Sequence, residues 1–253
     1  MQMSQNTILI TGGTSGIGYA LAVELLKRQN TILITGRSEE RLAAARQSLP
    51  GVHAFICDQS DPAAIARLYS ETTAAFPALN VLINNAGIGR KLNLNDTSGA
   101  LEDLEREIKA NFTGPVQLVK QFLPQLKRQS ASLIVNVTSG LAFVPLPLKP
   151  IYCATKAAMH SYTQSLRVQL KRTAVKVVEL APPAVKTEFN KGQEELNTAA
   201  AMDVTKFAKA AVRGLEQGRD EVTPGMTPII HLIARINPKA TLRAADAEKM
   251  AEA

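Results

Sequence analysis

The sequence predicts an α/β protein built as one doubly wound parallel sheet of about seven strands, with helices on both faces. Three observations point there. Apolar runs of strand length alternate with segments of helical periodicity. The first run, TILIT at 7–11, leads straight into a glycine-rich turn that opens a helix. No Gly/Ser linker divides the 253 residues, so one domain over 1–253 is expected.

The elements follow in order. TILIT at 7–11 reads as a buried strand, and GIGYALAVELLKRQ follows with helical spacing. TILIT recurs at 31–35 as the second strand, a similar strand of the same sheet and not a structural repeat. The helix of EERLAAARQSL stops at Pro50-Gly51. VHAFIC is a third strand, DPAAIARLYSETTAAF a helix and LNVLIN a fourth strand. Helical segments lie around 100–112 and 114–129. SLIVNV is a fifth strand, 151–172 a long helix and AVKVVEL a sixth strand. A helix around 204–217 and a short DEVTP strand complete the pattern, with right-handed crossovers expected throughout. Two regions break it. Residues 186–203 are polar and irregular and read as a lid over the substrate. Residues 225–253 form a C-terminal extension, apolar at TPIIHLIARINPKA and charged at its end.

Composition narrows the function classes. The chain is 45% hydrophobic and 20% charged, an ordinary globular balance with enough length for a sizeable core. Its apolar runs fall far short of the ~20 residues of a membrane helix. MQMSQNTILITGG has no basic region before its apolar run, so no signal peptide is expected. Cys57 and Cys153 give neither a disulfide framework nor a metal spacing. A cytoplasmic setting without a metal is the expectation. The net charge of +7 fits either a solvated basic surface or attraction to a phosphate-rich ligand. Nucleic acid is disfavoured, since no dense basic tract exists and aromatics make up only 4%.

TGGTSGIG at 11–18 sits between strand and helix, as a dinucleotide site requires. Gly12 permits the tight turn, Gly16 lets backbone approach a pyrophosphate, and Gly18 lets helix and sheet pack closely. Thr14, Ser15 and Ile17 complete the turn and count with it as cofactor contacts. The helix N-terminus offers N–H groups and a positive dipole end. Cofactor choice turns on the end of the second strand. An acidic residue there would hold a ribose 2′-hydroxyl, but the chain has Arg37-Ser38. Arg37 suits a 2′-phosphate, and Ser38 can cap the next helix and add a hydroxyl. NADP(H) is therefore favoured over NAD(H), although Glu39 and Glu40 weaken the local field and an exposed turn arginine is the plain alternative.

Taken together, these motifs resemble the short-chain dehydrogenase/reductase family. The match rests on Thr11-Gly12-(x)3-Gly16-x-Gly18, Asp58, NNAG at 84–87, Asn111, Ser139 and Tyr152-x-x-x-Lys156, and it covers roughly 6–223. GRSEERL and VKVVELAPPAVKTE look most like the subgroup of DltE-type oxidoreductases. The resemblance implies a Rossmann-like fold. It implies that Asp58 meets the adenine amino group and that Asn85, Ala86 and Gly87 line the adenosine side. Tyr152 and Lys156 would touch the nicotinamide ribose, and Val185 backbone and Thr187 would hold the carboxamide. One departure is Pro182-Pro183, where the family usually has Pro-Gly. The second proline removes an N–H and fixes φ, which bears on the path of 183–187.

The chemistry expected is hydride transfer between a nicotinamide and a carbonyl or alcohol. A phenol with a pKa near ~10 is a sluggish acid at neutral pH, and an ammonium one helical turn away lowers that value. Tyr152 is thus the acid/base and Lys156 its tuner; Ser139 orients the substrate oxygen, and Asn111 resembles the family's proton relay. Each residue alone has a bland reading: a strand-end serine, a surface Tyr/Lys pair, a helix-end amide. His160 and Cys153 read as packing residues, and no G-x-S-x-G supports a hydrolase. Pocket walls are expected from 88–95, from 188–203 with Lys191, Glu194 and Glu195, and from 140–149. In the last of these Leu141, Phe143, Val144, Leu146 and Leu148 suggest a hydrophobic ketone. The apolar 226–236 segment could be a subunit contact, a pocket cover or a shallow membrane-surface helix; its few cationic residues favour a subunit contact, and the resemblance adds that a homodimer or homotetramer is common in the family. The alternative function is a non-catalytic dinucleotide-binding regulator or scaffold, which would not need the Asn111/Ser139/Tyr152/Lys156 set.

Overall fold

Alternation along the strands fills two cores. In β1 (Thr7–Ile10), Ile8 and Ile10 enter one core and Leu9 the other. In β2 (Thr31–Gly36), Ile32 and Ile34 share the first and Leu33 the second. In β5 (Ser132–Val137), Leu133 and Val135 join the first and Ile134 the second. All these side chains are buried. Strands apolar on both sides belong in a parallel sheet covered on both faces.

The computed structural model describes residues 1–95, 101–190 and 201–237. Its sheet also contains β3 (His53–Ile56), β4 (Leu79–Asn84), β6 (Val175–Leu180) and β7 (Glu221–Val222). The order is β3-β2-β1-β4-β5-β6-β7, and every pairing is parallel. On one face lie α1 (Gly16–Leu26), α2 (Glu39–Ser48) and α7 (Val204–Glu216), with α1 packed on α7. On the other lie α3 (Pro62–Ala75), α5 (Gly114–Lys127) and α6 (Pro150–Leu170). The remaining helices are α4 (Leu101–Ile108) and α8 (Thr227–Ile236).

Strand order reverses at β1, whose neighbours β2 and β4 lead away in opposite directions. Ligands of such sheets bind in the crevice at that switch, outside the carboxyl ends of the strands. The glycine turn follows β1 and Asn85-Ala86-Gly87 follows β4, so both stand at the switch.

Three features go beyond the sequence reading. The two mid-chain helices are joined through a π-helical turn, Lys109–Thr113, with no break at residue 113. The apolar part of the extension is helical, as α8. The last strand is only two residues long. Residues 191–200 of the expected lid and 238–253 of the extension lie outside the described residues.

Candidate active site

The glycine turn is shaped by backbone geometry that only glycine takes easily. Gly12 and Gly16 have φ of +66° and +55°. A Cβ at Gly12 would stand 2.9 Å from Ala86 Cα, and one at Gly18 would stand 2.4 Å from Gly12 O. The turn is stitched to the end of β4. Thr11 Oγ1 accepts from the backbone N–H of Asn85 and of Ala86, each at 3.0 Å, and Asn85 Nδ2 donates to Thr11 O at 2.8 Å. Asp61 and Asp203 cap α3 and α7 through their side chains, but Ser15 makes no such bond at α1. The first turn of α1 also lacks an acid. A tight cradle and a bare helix N-terminus with no acid in its first turn fit a pyrophosphate.

Arg37 is exposed at the tip of β2, and Ser38 caps α2 by accepting from Arg41 N at 3.2 Å. Asp58 accepts from the Ser60 N–H and hydroxyl at 2.9 and 2.6 Å. Burial pushes its carboxyl up, but the two Ser60 bonds and the charges of Arg37 and Arg106 outweigh it and leave it below its usual value. A stable anion thus sits beside Arg37. A groove of about 660 Å³ runs from the turn along α1, between α2 and α7, lined by Thr14, Ser15, Tyr19, Arg41, Thr187 and Glu188. Thr187 stands over Gly16, with its Cβ 3.5 Å from where a Gly16 Cβ would lie. Val185 is buried and bridges to Met202. The segment after Pro182-Pro183 is held as a strand-like pair, with Lys186 N donating to Met202 O at 2.9 Å.

The four residues expected to do chemistry come together at the carboxyl ends of β4 and β5. Tyr152 and Lys156 are both buried on α6, one turn apart. Lys156 Nζ lies 5.6 Å from the Tyr152 ring centroid and donates to Val137 O at 2.8 Å. Burial alone pushes its pKa down to about 8. Burial also pushes the Tyr152 phenol up, and a hydrogen bond from Ser139 opposes this without reversing it. The net direction at Tyr152 is thus opposite to the lowering expected from its lysine neighbour. The phenol holds its proton, which suits a donor. Ser139 Oγ also accepts from Leu141 N at 3.1 Å.

Asn111 sits in the π-helical turn and is 1% exposed. Its Oδ1 accepts from Ile88 N at 2.8 Å, while Nδ2 donates to Ile88 O at 2.7 Å and to Thr155 Oγ1 at 3.2 Å. A Cβ at Gly87 would meet Asn111 Oδ1 at 3.1 Å and Lys156 Nζ at 3.6 Å, so the amide and the ammonium converge on that glycine.

On the substrate side, Leu141, Phe143 and Val144 are half-buried. Phe143 is stacked on His231 at 4.0 Å. The aromatic ring beside Tyr152 is Phe189, 5.5 Å between centroids. Sequence reasoning did not single out Phe189, nor the buried pair Lys149 and Glu107 behind it. Lys149 Nζ lies 5.0 Å from the Phe189 ring centroid. Burial pushes the Glu107 carboxyl up, against the Arg90 N–H and the charges of Arg90 and Lys149. No local pattern marks these residues; they meet only because α4, the 88–92 loop and α6 pack together. Cys153 is buried and in contact with Leu146 N, consistent with packing.

Known proteins resemble this chain in sequence and in fold. A family model described as short chain dehydrogenase matches residues 6–198. The chain is 44% identical over 225 residues to the uncharacterized oxidoreductase DltE of Bacillus subtilis, covering 88% of this chain and 89% of that protein. It resembles a short chain dehydrogenase from Burkholderia cenocepacia solved with NADP, at TM-score 0.85 and 26% identity, over 98% of this chain and 100% of that one. A short-chain dehydrogenase from Sphingobium yanoikuyae solved with NADPH superposes at TM-score 0.80 and 27% identity, over 96% of each chain.

Proposed function

The chain belongs to the short chain dehydrogenase family of NAD(P)-binding oxidoreductases, and on that premise we propose that it is an NADP(H)-dependent carbonyl reductase. The observation that carries the reading is the buried Tyr152 with Lys156 one turn away on the same helix, its Nζ 5.6 Å from the phenol ring centroid. The bound nicotinamide would supply the hydride. The chain's own residues do the rest. Ser139 hydrogen-bonds the carbonyl oxygen. Tyr152 delivers its proton to that oxygen as negative charge develops. The Lys156 ammonium steadies the phenolate left behind, and Asn111 holds the route by which the proton is restored. The turn at Gly12, Thr14, Ser15, Gly16, Ile17 and Gly18 would hold the pyrophosphate. Asp58 and Asn85-Ala86-Gly87 would hold the adenosine side, and Val185 and Thr187 the nicotinamide.

Arg37 supports NADP(H) over NAD(H): it is an exposed guanidinium at the strand tip, at the place where an NAD site would carry an acid. Leu141, Phe143 and Val144, now with Phe189, favour an apolar carbonyl compound. The test is oxidation of NADPH and NADH with a panel of aliphatic and aryl ketones. Tyr152→Phe should abolish turnover and leave NADPH binding intact; undiminished turnover would refute the assignment. Arg37→Ala should weaken NADPH by about 2 kcal/mol, about thirtyfold, and leave NADH unchanged. An equal effect on both cofactors would sink the phosphate reading.

A further inference from the structure

Glu179 lies on β6 and is 0% exposed. A carboxylate taken out of water is costly unless its oxygens are occupied. Here both are. Oε1 accepts from the Thr138 hydroxyl at 2.6 Å, and Oε2 meets His160 Nδ1 at 2.7 Å. Thr138 is the residue before Ser139. His160 is on α6, one turn beyond Lys156 and two beyond Tyr152. One carboxylate therefore ties the strand end that carries Ser139 to the helix that carries Tyr152 and Lys156. The proton and hydride chemistry proposed above uses none of these three residues.

The outer side of His160 reaches the substrate wall. Its ring stands edge-on to Phe143 at 5.0 Å, and Phe143 stacks on His231 of α8 at 4.0 Å and 11°. Thr227, also on α8, is buried beside Gly140. The stretch from Ser139 to Phe143 is thus held from below by Glu179 and its partners and from outside by α8.

The groups facing His160 are Glu179 on β6, Glu221 on β7, Arg167 and Gln164 on its own helix, and His231 on α8. The Glu179 hydrogen bond raises its pKa and burial opposes; Glu179 and Glu221 charges raise it further and Arg167 lowers it. The net direction is up, so the imidazolium survives above the ordinary histidine range. Below that range the cation and carboxylate attract fully. As pH rises through the raised value, the ring turns neutral and the charge attraction is lost, leaving only the Nδ1–H hydrogen bond to Oε2. Gln164 Nε2 lies 3.1 Å from His160 Nε2, and its amide must turn over to serve the two ring states.

We propose that Thr138, Glu179 and His160 form a positioning clamp that sets Ser139 against Tyr152 and seats Phe143 and α8, and that the clamp loosens when His160 gives up its proton. The proposal rests on the reading of Ser139 and Tyr152 given above. Its predicted signature lies in the substrate and not the cofactor: KM for the ketone rises with pH through the His160 midpoint while NADPH affinity stays level.

Two measurements test it on the full chain. In an NMR titration over about pH 5 to 10, which spans the ordinary histidine value of about 6.5 and the range above it, the His231 and Phe143 ring signals should move at the His160 midpoint, and His160→Gln should erase that step. This readout needs no turnover, so it separates failure of the clamp from failure of the proposed activity. In steady-state kinetics, Thr138→Val should lower kcat/KM for the ketone on the order of tenfold with NADPH binding unchanged, as expected for a small misplacement of Ser139. Thr138→Ser should restore it, and His160→Gln should flatten the pH dependence of KM. If Thr138→Val does not fold, Thr138→Ser and His160→Gln carry the kinetic arm. Ring signals of His231 and Phe143 that ignore the His160 titration, or a folded Thr138→Val with unaltered kcat/KM, would overturn the proposal.

Discussion

Lys156 has two tasks that pull apart at the level of a single residue. Its ammonium must stay charged to help Tyr152, yet burial pushes its pKa down to about 8. Tyr152 is pushed the other way, so its phenol does not ionise first. The alkaline limb of kcat therefore belongs to Lys156, while the His160 clamp acts on KM. As pH rises through about 8, the ammonium is lost and kcat should fall with it. A steady-state pH profile checks this, with circular dichroism confirming that the fold persists. A rate that holds level up to the range of a free lysine would refute the argument. The spacing of Tyr152 and Lys156 was legible because an i, i+4 pair is local. The bond from Lys156 to Val137 O was not, because it spans 19 residues and depends on how α6 lies over β5. The same applies to Phe189 and Glu107, which reach the Tyr152 neighbourhood only through packing.

Among the elements, the π-helical turn Lys109–Thr113 matters most. Such a turn inserts a residue into the helical phase and is common at functional sites. Here it places Asn111, whose amide takes both the N–H and the C=O of Ile88. That pair of bonds fixes the loop after β4, including Gly87 and Gly89; a Cβ at Gly89 would stand 2.7 Å from Phe189 Cζ. Asn111→Ala would leave two backbone groups without partners, at about 1–3 kcal/mol each. The expected outcome is a clear fall in Tm together with weaker cofactor binding, read by calorimetry and by NADPH fluorescence. A variant as stable as the parent would show that Asn111 does not hold the loop. The sequence marked Asn111 through its resemblance to the family and marked helices on either side. It could not show the extra backbone turn, since a π insertion leaves the apolar pattern nearly unchanged. Strands were easier: LNVLIN and SLIVNV match β4 and β5 residue for residue, because both carry apolar residues on two faces.

At the scale of the whole molecule, α8 has two faces with different needs. Its inner face places Thr227 against Gly140 and His231 against Phe143. Its outer face presents Ile229, Leu232, Ile233 and Ile236, with Met226 just before the helix; these are 46–75% exposed. The spacing i, i+3, i+4, i+7 makes them one stripe on one side of the helix. The segment was legible as apolar, but its apolarity alone could not tell a pocket cover from a subunit contact. The structure divides the roles, with Thr227 and His231 turned inward and Ile229, Leu232, Ile233 and Ile236 outward. An aliphatic stripe of this kind on a chain with net charge +7 needs cover more than contact with water. A second subunit is the cover we expect. Leu232→Lys with Ile236→Lys should then shift the assembly toward smaller species in analytical ultracentrifugation. The inner face is untouched by these changes, so ketone KM should hold if the substrate side is built within one chain. An assembly state unaltered by both lysines would place the subunit contact elsewhere and leave the stripe without that role.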